Sequence, residues 1–305
     1  MKPHLLIVLL LVLGVAGCRL PVSESLVHEG NSVSDFNMDL DYEVWLPDGY
    51  DKEPTRSYPV LVWFHGGGEN ELGWGREGRI GTIVQERVKK GELQPFIVVS
   101  PSAGTFQPIF RTYDKLVVDY MLPQVEKKYR TNGTVVAFGH SMGGLSALIV
   151  ALKHPDLFKA AVIASPFVFD TTPWDTPEEK REFDETLGGR FNRNWRYQVG
   201  MNFSSREKYD QWSPYSLVRR WGTIEIELLS DGAPKLKPVQ RPQFGKLLLT
   251  VGDKDQLGLL PHNTHLHELM AEHGIVHEWY VQKGVGHGTV EDPYLMDWLN
   301  EQAGD

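Results

Sequence analysis

The chain has 305 residues, a length that a single large α/β domain can reach, and 41% apolar with 23% charged residues is an ordinary globular composition. With a formal net charge of −9 the chain lacks the basic excess typical of nucleic-acid binders, so we expect no nucleic-acid partner. A single cysteine excludes a disulfide framework, so the fold must be held together by its own core.

The first eighteen residues resemble an export signal. A short, weakly basic start precedes an unbroken apolar run at residues 5–13, which is too short for an ordinary membrane span, and small residues lead to Cys18. The segment is similar to bacterial lipoprotein signals, whose cysteine is lipidated and becomes the mature N-terminus; a plain secretory signal with an incidental cysteine is the alternative. We expect an exported cell-envelope lipoprotein, held at the membrane by the lipid alone.

The next segment, residues 19–40, is polar and shows no clear hydrophobic period. It predicts a tether between the anchor and the main domain, which we expect to span residues 41–305. An extra strand near residues 25–27 is the alternative.

Strands alternate with helices along the main domain. Residues 42–46 alternate in polarity, which predicts a half-exposed antiparallel strand. Continuous apolar runs, typical of strands buried on both faces, predict further strands at residues 60–64, 96–100, 135–138, 160–164, 247–251 and 278–281. Helical spacing predicts helices at residues 113–129, 142–153, 261–273 and 291–301. The alternation indicates an α/β fold with a mostly parallel, doubly wound sheet.

A long stretch at about residues 166–245 interrupts this alternation. It is too long for a structureless loop in a compact domain, which predicts an inserted cap of short helices with one strand at residues 224–229. It contains four tryptophans, which we expect mainly to pack the cap, with one or two lining a substrate pocket: Trp174, Trp195, Trp212 and Trp221.

The clearest chemical signal is a Gly-x-Ser-x-Gly sequence centred on Ser141. It follows the predicted strand at residues 135–138 and opens the predicted helix at residues 142–153, which is the strand–turn–helix context of a nucleophile elbow. The turn is so tight that Gly139 and Gly143 must be small. The nucleophile would lie at a helix N-terminus, where developing negative charge is stabilised.

A serine nucleophile needs a base, and the base needs an orienting carboxylate. His287 lies among glycines after the last predicted strand, at the sheet edge where Ser141 is expected, and is the predicted base. Asp255 follows the strand at residues 247–251 and is the predicted acid, with Asp253 and then Asp170 as alternatives.

Glycines after the strand at residues 60–64 predict the oxyanion hole. We expect a backbone N–H of Gly67 or Gly68 as one donor and that of Met142 as the other, with His65 bracing the loop. The missing Lys-Ser/Thr excludes a phosphate-binding loop.

These motifs resemble, in order and spacing, the esterase D-like, feruloyl-esterase-like group of α/β-hydrolases. They are His65-Gly66-Gly67-Gly68, Gly139-His140-Ser141-Met142-Gly143-Gly144, Asp255 and His287. The likeness covers about residues 41–299 and is weakest over the cap. It implies cleavage of acyl esters, often on plant polysaccharides, small thiol adducts or iron-chelator lactones; mycolyl transferases share the architecture.

The sequence therefore predicts an exported serine carboxylesterase that works through an acyl-enzyme and requires no cofactor or metal. Its expected partner is a small-molecule or polysaccharide-linked ester. The same triad would also serve a peptidase or acyltransferase, and a catalytically silent binding protein is a further alternative. Metal-assisted hydrolysis is kept as an alternative because three histidines lie close in sequence, at His262, His265 and His267, although no carboxylate stands at ligand spacing around them.

Overall fold

The computed structural model describes residues 20–77, 79–185, 188–221, 225–228, 234–237, 245–287 and 290–304. The predicted signal segment and Cys18 lie outside the described residues. Within these ranges, no helix is long and apolar enough to cross a membrane.

An eight-stranded sheet forms the centre of the domain, in the order β1-β2-β4-β3-β5-β6-β9-β10. The β1–β2 and β2–β4 pairs are antiparallel and the others are parallel, which confirms the predicted α/β fold. The eight strands are β1 (Val27–Asp35), β2 (Met38–Leu46), β3 (Tyr58–Phe64), β4 (Ile97–Ser102), β5 (Thr131–His140), β6 (Ala160–Ala164), β9 (Lys246–Gly252) and β10 (Glu278–Gln282).

Helices cover both faces of this sheet. Alternate side chains of β5 point into two separate apolar layers, with Val135 and Ala137 in one and Val136 and Phe138 in the other. Burial on both faces explains why the central strands read as continuous apolar runs. The helices outside the cap are α1 (Ile80–Lys89), α2 (Thr112–Lys115), a π-helical turn (Leu116–Met121), α3 (Leu122–Lys128), α4 (Met142–Lys153), α9 (Leu259–Glu272) and α10 (Pro293–Gly304).

Three of the predicted helices correspond to α4, α9 and α10, and the fourth, at residues 113–129, is broken by the π-helical turn. Helix α1 was not predicted. Only Ile80, Gly81 and Val84 of this helix are buried, so its apolar face is short and gives little periodic signal.

The predicted tether is wrong from residue 27 onward, because β1 pairs with β2 along its whole length. Only Val33 of β1 is buried, so this edge strand lacks an apolar pattern; an extra strand is present, but it begins at Val27, where the predicted one at residues 25–27 ends. The prediction of a half-exposed strand at residues 42–46 is also wrong on exposure: residues 42–45 are buried. Glu43 is compensated there by a hydrogen bond with His28, whose ring stacks on Trp45.

The cap connects β6 to β9, which are parallel neighbours in the sheet. Its predicted helical character is confirmed, and strand β7 falls within the predicted range of 224–229, of which residues 224 and 229 lie outside the described residues. The elements of the cap are α5 (Pro177–Asp184), α6 (Gly189–Asn202), α7 (Arg206–Asp210), α8 (Pro214–Arg219) and the antiparallel pair β7 (Glu225–Leu228) and β8 (Pro234–Lys237).

Candidate active site

The turn between β5 and α4 holds Ser141 in a strained backbone conformation, with φ 57° and ψ −118°. The Ser141 N–H donates to the Ala164 carbonyl at 2.9 Å, which ties the turn to β6. A Cβ at Gly139 would lie 2.1 Å from the Gly143 carbonyl oxygen, and one at Gly143 would lie 1.8 Å from that of Phe64. Only glycine fits at either position, so the five-residue pattern follows from this geometry.

Three predicted residues form one hydrogen-bonded chain at the carboxyl edge of the sheet. Ser141 Oγ lies 2.8 Å from His287 Nε2, and His287 Nδ1 lies 2.8 Å from Asp255 Oδ2. Because the carboxylate can only accept, Nδ1 carries the proton and Nε2 is left to accept from the serine hydroxyl. Asp255 is only 3% exposed, so its charge is directed at the imidazole rather than at water.

The second oxygen of Asp255 also has a partner, because Oδ1 accepts from the Leu257 N–H at 2.8 Å. Asp253 instead accepts from the Gly284 N–H at 2.7 Å and thereby braces the loop before His287. The Asp170 carboxylate forms an ion pair with Arg219 of α8 at 3.2 Å and lies 3.0 Å from the imidazole of His265 in α9. Of the three carboxylates that the sequence offered, Asp255 is the one the structure brings to His287.

Two residues that sequence reasoning did not assign hold the loop of His287. The Nε2 atom of His140 donates to the His287 carbonyl at 3.2 Å, and the two rings lie 5.0 Å apart. The His287 N–H donates to the Gln256 side-chain oxygen at 3.1 Å. Each lies next to a predicted residue, Ser141 or Asp255, and that adjacency is the one signal that could have indicated them.

The loop after β3 is braced by His65, as predicted, through bonds to the Gly66 carbonyl at 2.9 Å and the Ser102 hydroxyl at 3.0 Å. The Gly68 N–H donates to the Thr105 carbonyl at 2.9 Å, so the structure contradicts Gly68 as an oxyanion donor. Gly68 takes φ 92° in this loop, and its N–H is already engaged by that carbonyl.

The two remaining predicted donors, Gly67 and Met142, line the same cavity as Ser141. Met142 is the first residue of α4, and the N–H groups in the first turn of a helix have no acceptor within the helix. Both residues therefore border the space in which an ester bound at Ser141 would lie.

The three histidines considered for a metal site make different contacts. His262 accepts a bond from the Asp170 N–H at 3.3 Å, His265 pairs with the Asp170 carboxylate, and His267 lies 2.8 Å from His277. Over the ranges that the structure describes, no group of three histidine, cysteine or acidic side chains is arranged to hold a metal ion.

His262 has a structural place under the cap. Its ring lies 4.9 Å from that of Phe169 and 5.4 Å from that of Phe183 in α5. Burial, together with the nearby charge of His265, lowers the pKa of His262 to about 4. His262 belongs to α9, so its neutral ring joins α9 to the cap through the contact with Phe183.

A cavity of about 340 Å³ leads from Ser141 into the cap. Its walls are mainly aromatic and aliphatic, and two of the four cap tryptophans line it, as expected, while the other two pack against the core. The apolar residues that α4 and the cap contribute are Leu145, Ile149, Phe167, Phe191, Trp195, Val199, Phe203, Tyr209 and Trp212. Such a volume is within the range of small-molecule sites, about 300–1,000 Å³.

Comparison with known proteins places the chain in a family. The family model "Esterase", described as "Putative esterase", matches residues 34–219, which include the Ser141 turn but end before Asp255 and His287. An endo-1,4-beta-xylanase/feruloyl esterase of Xylanibacter ruminicola is 32% identical over 131 residues, which are 38% of this chain and 18% of that protein. The chain spans less than two thirds of the length of the curated relatives it matches.

Solved structures share the fold over nearly the whole chain. A ferulic acid esterase has a TM-score of 0.58 at 20% identity, with 92% of this chain and 99% of that chain covered. An S-formylglutathione hydrolase of Staphylococcus aureus has a TM-score of 0.61 at 17% identity, with 91% and 99% covered. The sheet topology, the strained serine turn and the matched family model all point to the same family. The chain belongs to this esterase family, a family of carboxylic ester hydrolases with the α/β-hydrolase fold.

Proposed function

We propose that the chain is a serine carboxylesterase that works through an acyl-enzyme. The observation that carries this proposal is the hydrogen-bonded chain of Ser141, His287 and Asp255, with both bonds at 2.8 Å. The Ser141 hydroxyl attacks the ester carbonyl carbon while His287 Nε2 takes its proton. His287 then gives that proton to the leaving alcohol, and water repeats the sequence to release the acid. Asp255 stabilises the imidazolium and keeps its own charge.

The backbone N–H groups of Gly67 and Met142 are the proposed oxyanion donors. Negative charge develops on the carbonyl oxygen in both tetrahedral intermediates, and fixed N–H groups stabilise it without reorganisation. The N-terminus of α4 adds a favourable partial positive charge at the same place.

An acyl group with substantial apolar surface is the proposed substrate part that enters the cavity. Aromatic walls favour flat or long acyl groups, because each Å² of apolar surface buried there stabilises the bound substrate by about 25 cal/mol. A relative that is named feruloyl esterase supports an acyl group carried on a polysaccharide.

Export by a lipoprotein signal at Cys18, with attachment through the lipid, would bring the enzyme to such extracellular substrates.

Acyl transfer to another alcohol is the second candidate, because the same triad serves water and alcohol acceptors equally. The apolar cavity favours acyl transfer, because apolar walls exclude water from the acyl-enzyme. Product analysis with and without an added alcohol acceptor separates the two: ester products in place of free acid identify a transferase.

Ser141→Ala is the primary test. Because removing the nucleophile of a triad costs about a millionfold in kcat, turnover of p-nitrophenyl esters should fall to background while the far-UV circular dichroism spectrum stays unchanged. A fluorophosphonate probe should label the parent protein and not the variant. Failure to label Ser141 in the parent protein would instead support a catalytically silent binding protein.

A further inference from the structure

A second concave surface, open to solvent, adjoins the Ser141 cavity. It has a volume of about 860 Å³ and lies between α2 and the cap helices α6 and α7. Asn202, Phe203 and Trp212 line both this surface and the cavity. We call it the basic groove because of the charges that surround it.

Four cationic side chains line the basic groove: Arg111, Lys115, Lys153 and Lys208. In the described part of the chain, none of the four forms an ion pair with a carboxylate within 4.0 Å. The carboxylate that lines the groove, that of Asp114, is 2% exposed and lies 3.0 Å from the imidazole of His154. On a chain of net charge −9, the groove thus has an excess of positive charge, with four cationic side chains and one carboxylate among its lining residues.

Apolar and aromatic surface lies among these charges. The Lys153 ammonium is 4.0 Å from the centre of the Trp212 ring, and the Arg111 guanidinium is 5.9 Å from that of Phe203. Phe36 and Met201, which also line the groove, are 51% and 69% exposed. Flat apolar surfaces beside cations suit a sugar ring that carries an anionic group, because such a ring has apolar faces and a charged edge.

We propose that the basic groove binds the carboxylate-bearing sugars of a uronate-containing polysaccharide, beside the cavity in which the ester is cut. The inference rests on the proposed hydrolysis of polysaccharide-linked esters and names the charge of the polymer. The concave shape favours a polymer chain lying in the groove over a flat lipid surface, and the excess positive charge of the groove attracts a polyanion.

Binding is measured with the Ser141→Ala protein, so that the result does not depend on turnover. Affinity gel electrophoresis compares polygalacturonate with neutral arabinoxylan. We expect polygalacturonate, and not arabinoxylan, to retard the protein. The retardation should decrease as the salt concentration is raised from roughly 0.05 to 0.5 M, because salt screens the exposed charges. The small-ester assay of Ser141 in the parent protein fails or succeeds separately from this binding.

The double variant Lys115→Glu/Lys208→Glu tests the location. Reversing two exposed charges should weaken polygalacturonate binding about tenfold, since each attraction that is lost becomes a repulsion. Lys52→Glu/Lys90→Glu makes the same change in net charge at exposed positions outside the groove and should retain binding. Equal loss in both double variants, or no binding by the Ser141→Ala protein, overturns the proposal. Binding to phosphatidylglycerol vesicles but not to polygalacturonate also overturns it, because the groove would then recognise a membrane surface.

Discussion

The turn around Ser141 and the cap differ in what determines their structure. The turn is defined by backbone atoms: a methyl group at Gly143 would lie 1.8 Å from a carbonyl oxygen, so almost no other sequence can form it. The cap is defined by side chains such as Trp195 and Val199, and many other apolar sets would pack equally well. The turn is therefore visible in the sequence as a fixed pattern of glycines, whereas the packing of the cap leaves no comparable pattern.

After that of Ser141→Ala, the largest expected effect tests the part of this comparison that backbone atoms define. Asp255→Asn should lower kcat about ten-thousandfold, because an amide in place of the carboxylate favours the wrong His287 tautomer. Asp253→Asn is the matched control, since Asp253 braces a loop and does not contact the imidazole. Steady-state kinetics on p-nitrophenyl butyrate measure both. A larger loss in the Asp253 variant would reverse the assignment of the acid.

The attachment of the cap should depend on pH through His262. Its pKa is about 4 in the folded chain and 6.5 for the free group, so the unfolded chain binds more protons between these values. Stability should therefore fall as pH falls from 6.5 to 4, by about 3 kcal/mol from this group. His262→Asn keeps an acceptor for the Asp170 N–H and should remove this share, as measured by urea unfolding at pH 7 and 4.5. An unchanged pH slope in the variant would show that other groups cause it.

Filling the cavity should change selectivity rather than chemistry. Val199→Phe adds a ring to the wall contributed by α6, and the ratio of kcat/KM for a feruloyl ester to that for an acetyl ester should fall about tenfold to a hundredfold. The measurement is the ratio of the two substrates on one enzyme preparation, which cancels differences in folded fraction. An unaltered ratio would mean that the acyl group does not occupy the cavity.

The smallest expected effect concerns the side chain that joins the two loops of the site. His140→Ala removes the donor to the His287 carbonyl, and we expect kcat to fall about tenfold with KM unchanged, because the imidazole is less well positioned. His140→Gln offers an amide donor and should restore part of the rate. Equal losses in kcat for both variants would assign His140 a packing role instead.

The sheet, the serine turn, the acid and the base could be predicted from the sequence because each combines a regular pattern with a position at a strand end. Strand β1 could not, since an edge strand with one buried residue, Val33, has no apolar period. Gly68 could not be separated from Gly67, because the Gly68 N–H is engaged by Thr105, a residue distant in sequence. The cap helices could be expected as a class only, since their boundaries depend on tertiary packing.

The cap has a second role that limits how it can be altered. Strands β6 and β9 lie side by side and run in the same direction, so the chain must cross from the end of one to the start of the other. Such a crossing needs about a dozen residues whatever else they do. Protein engineers can therefore exchange or shorten the segment to change what the enzyme accepts, but excision must leave a bridge. The segment in which we propose that substrate choice resides is thus also the connection that the sheet topology requires.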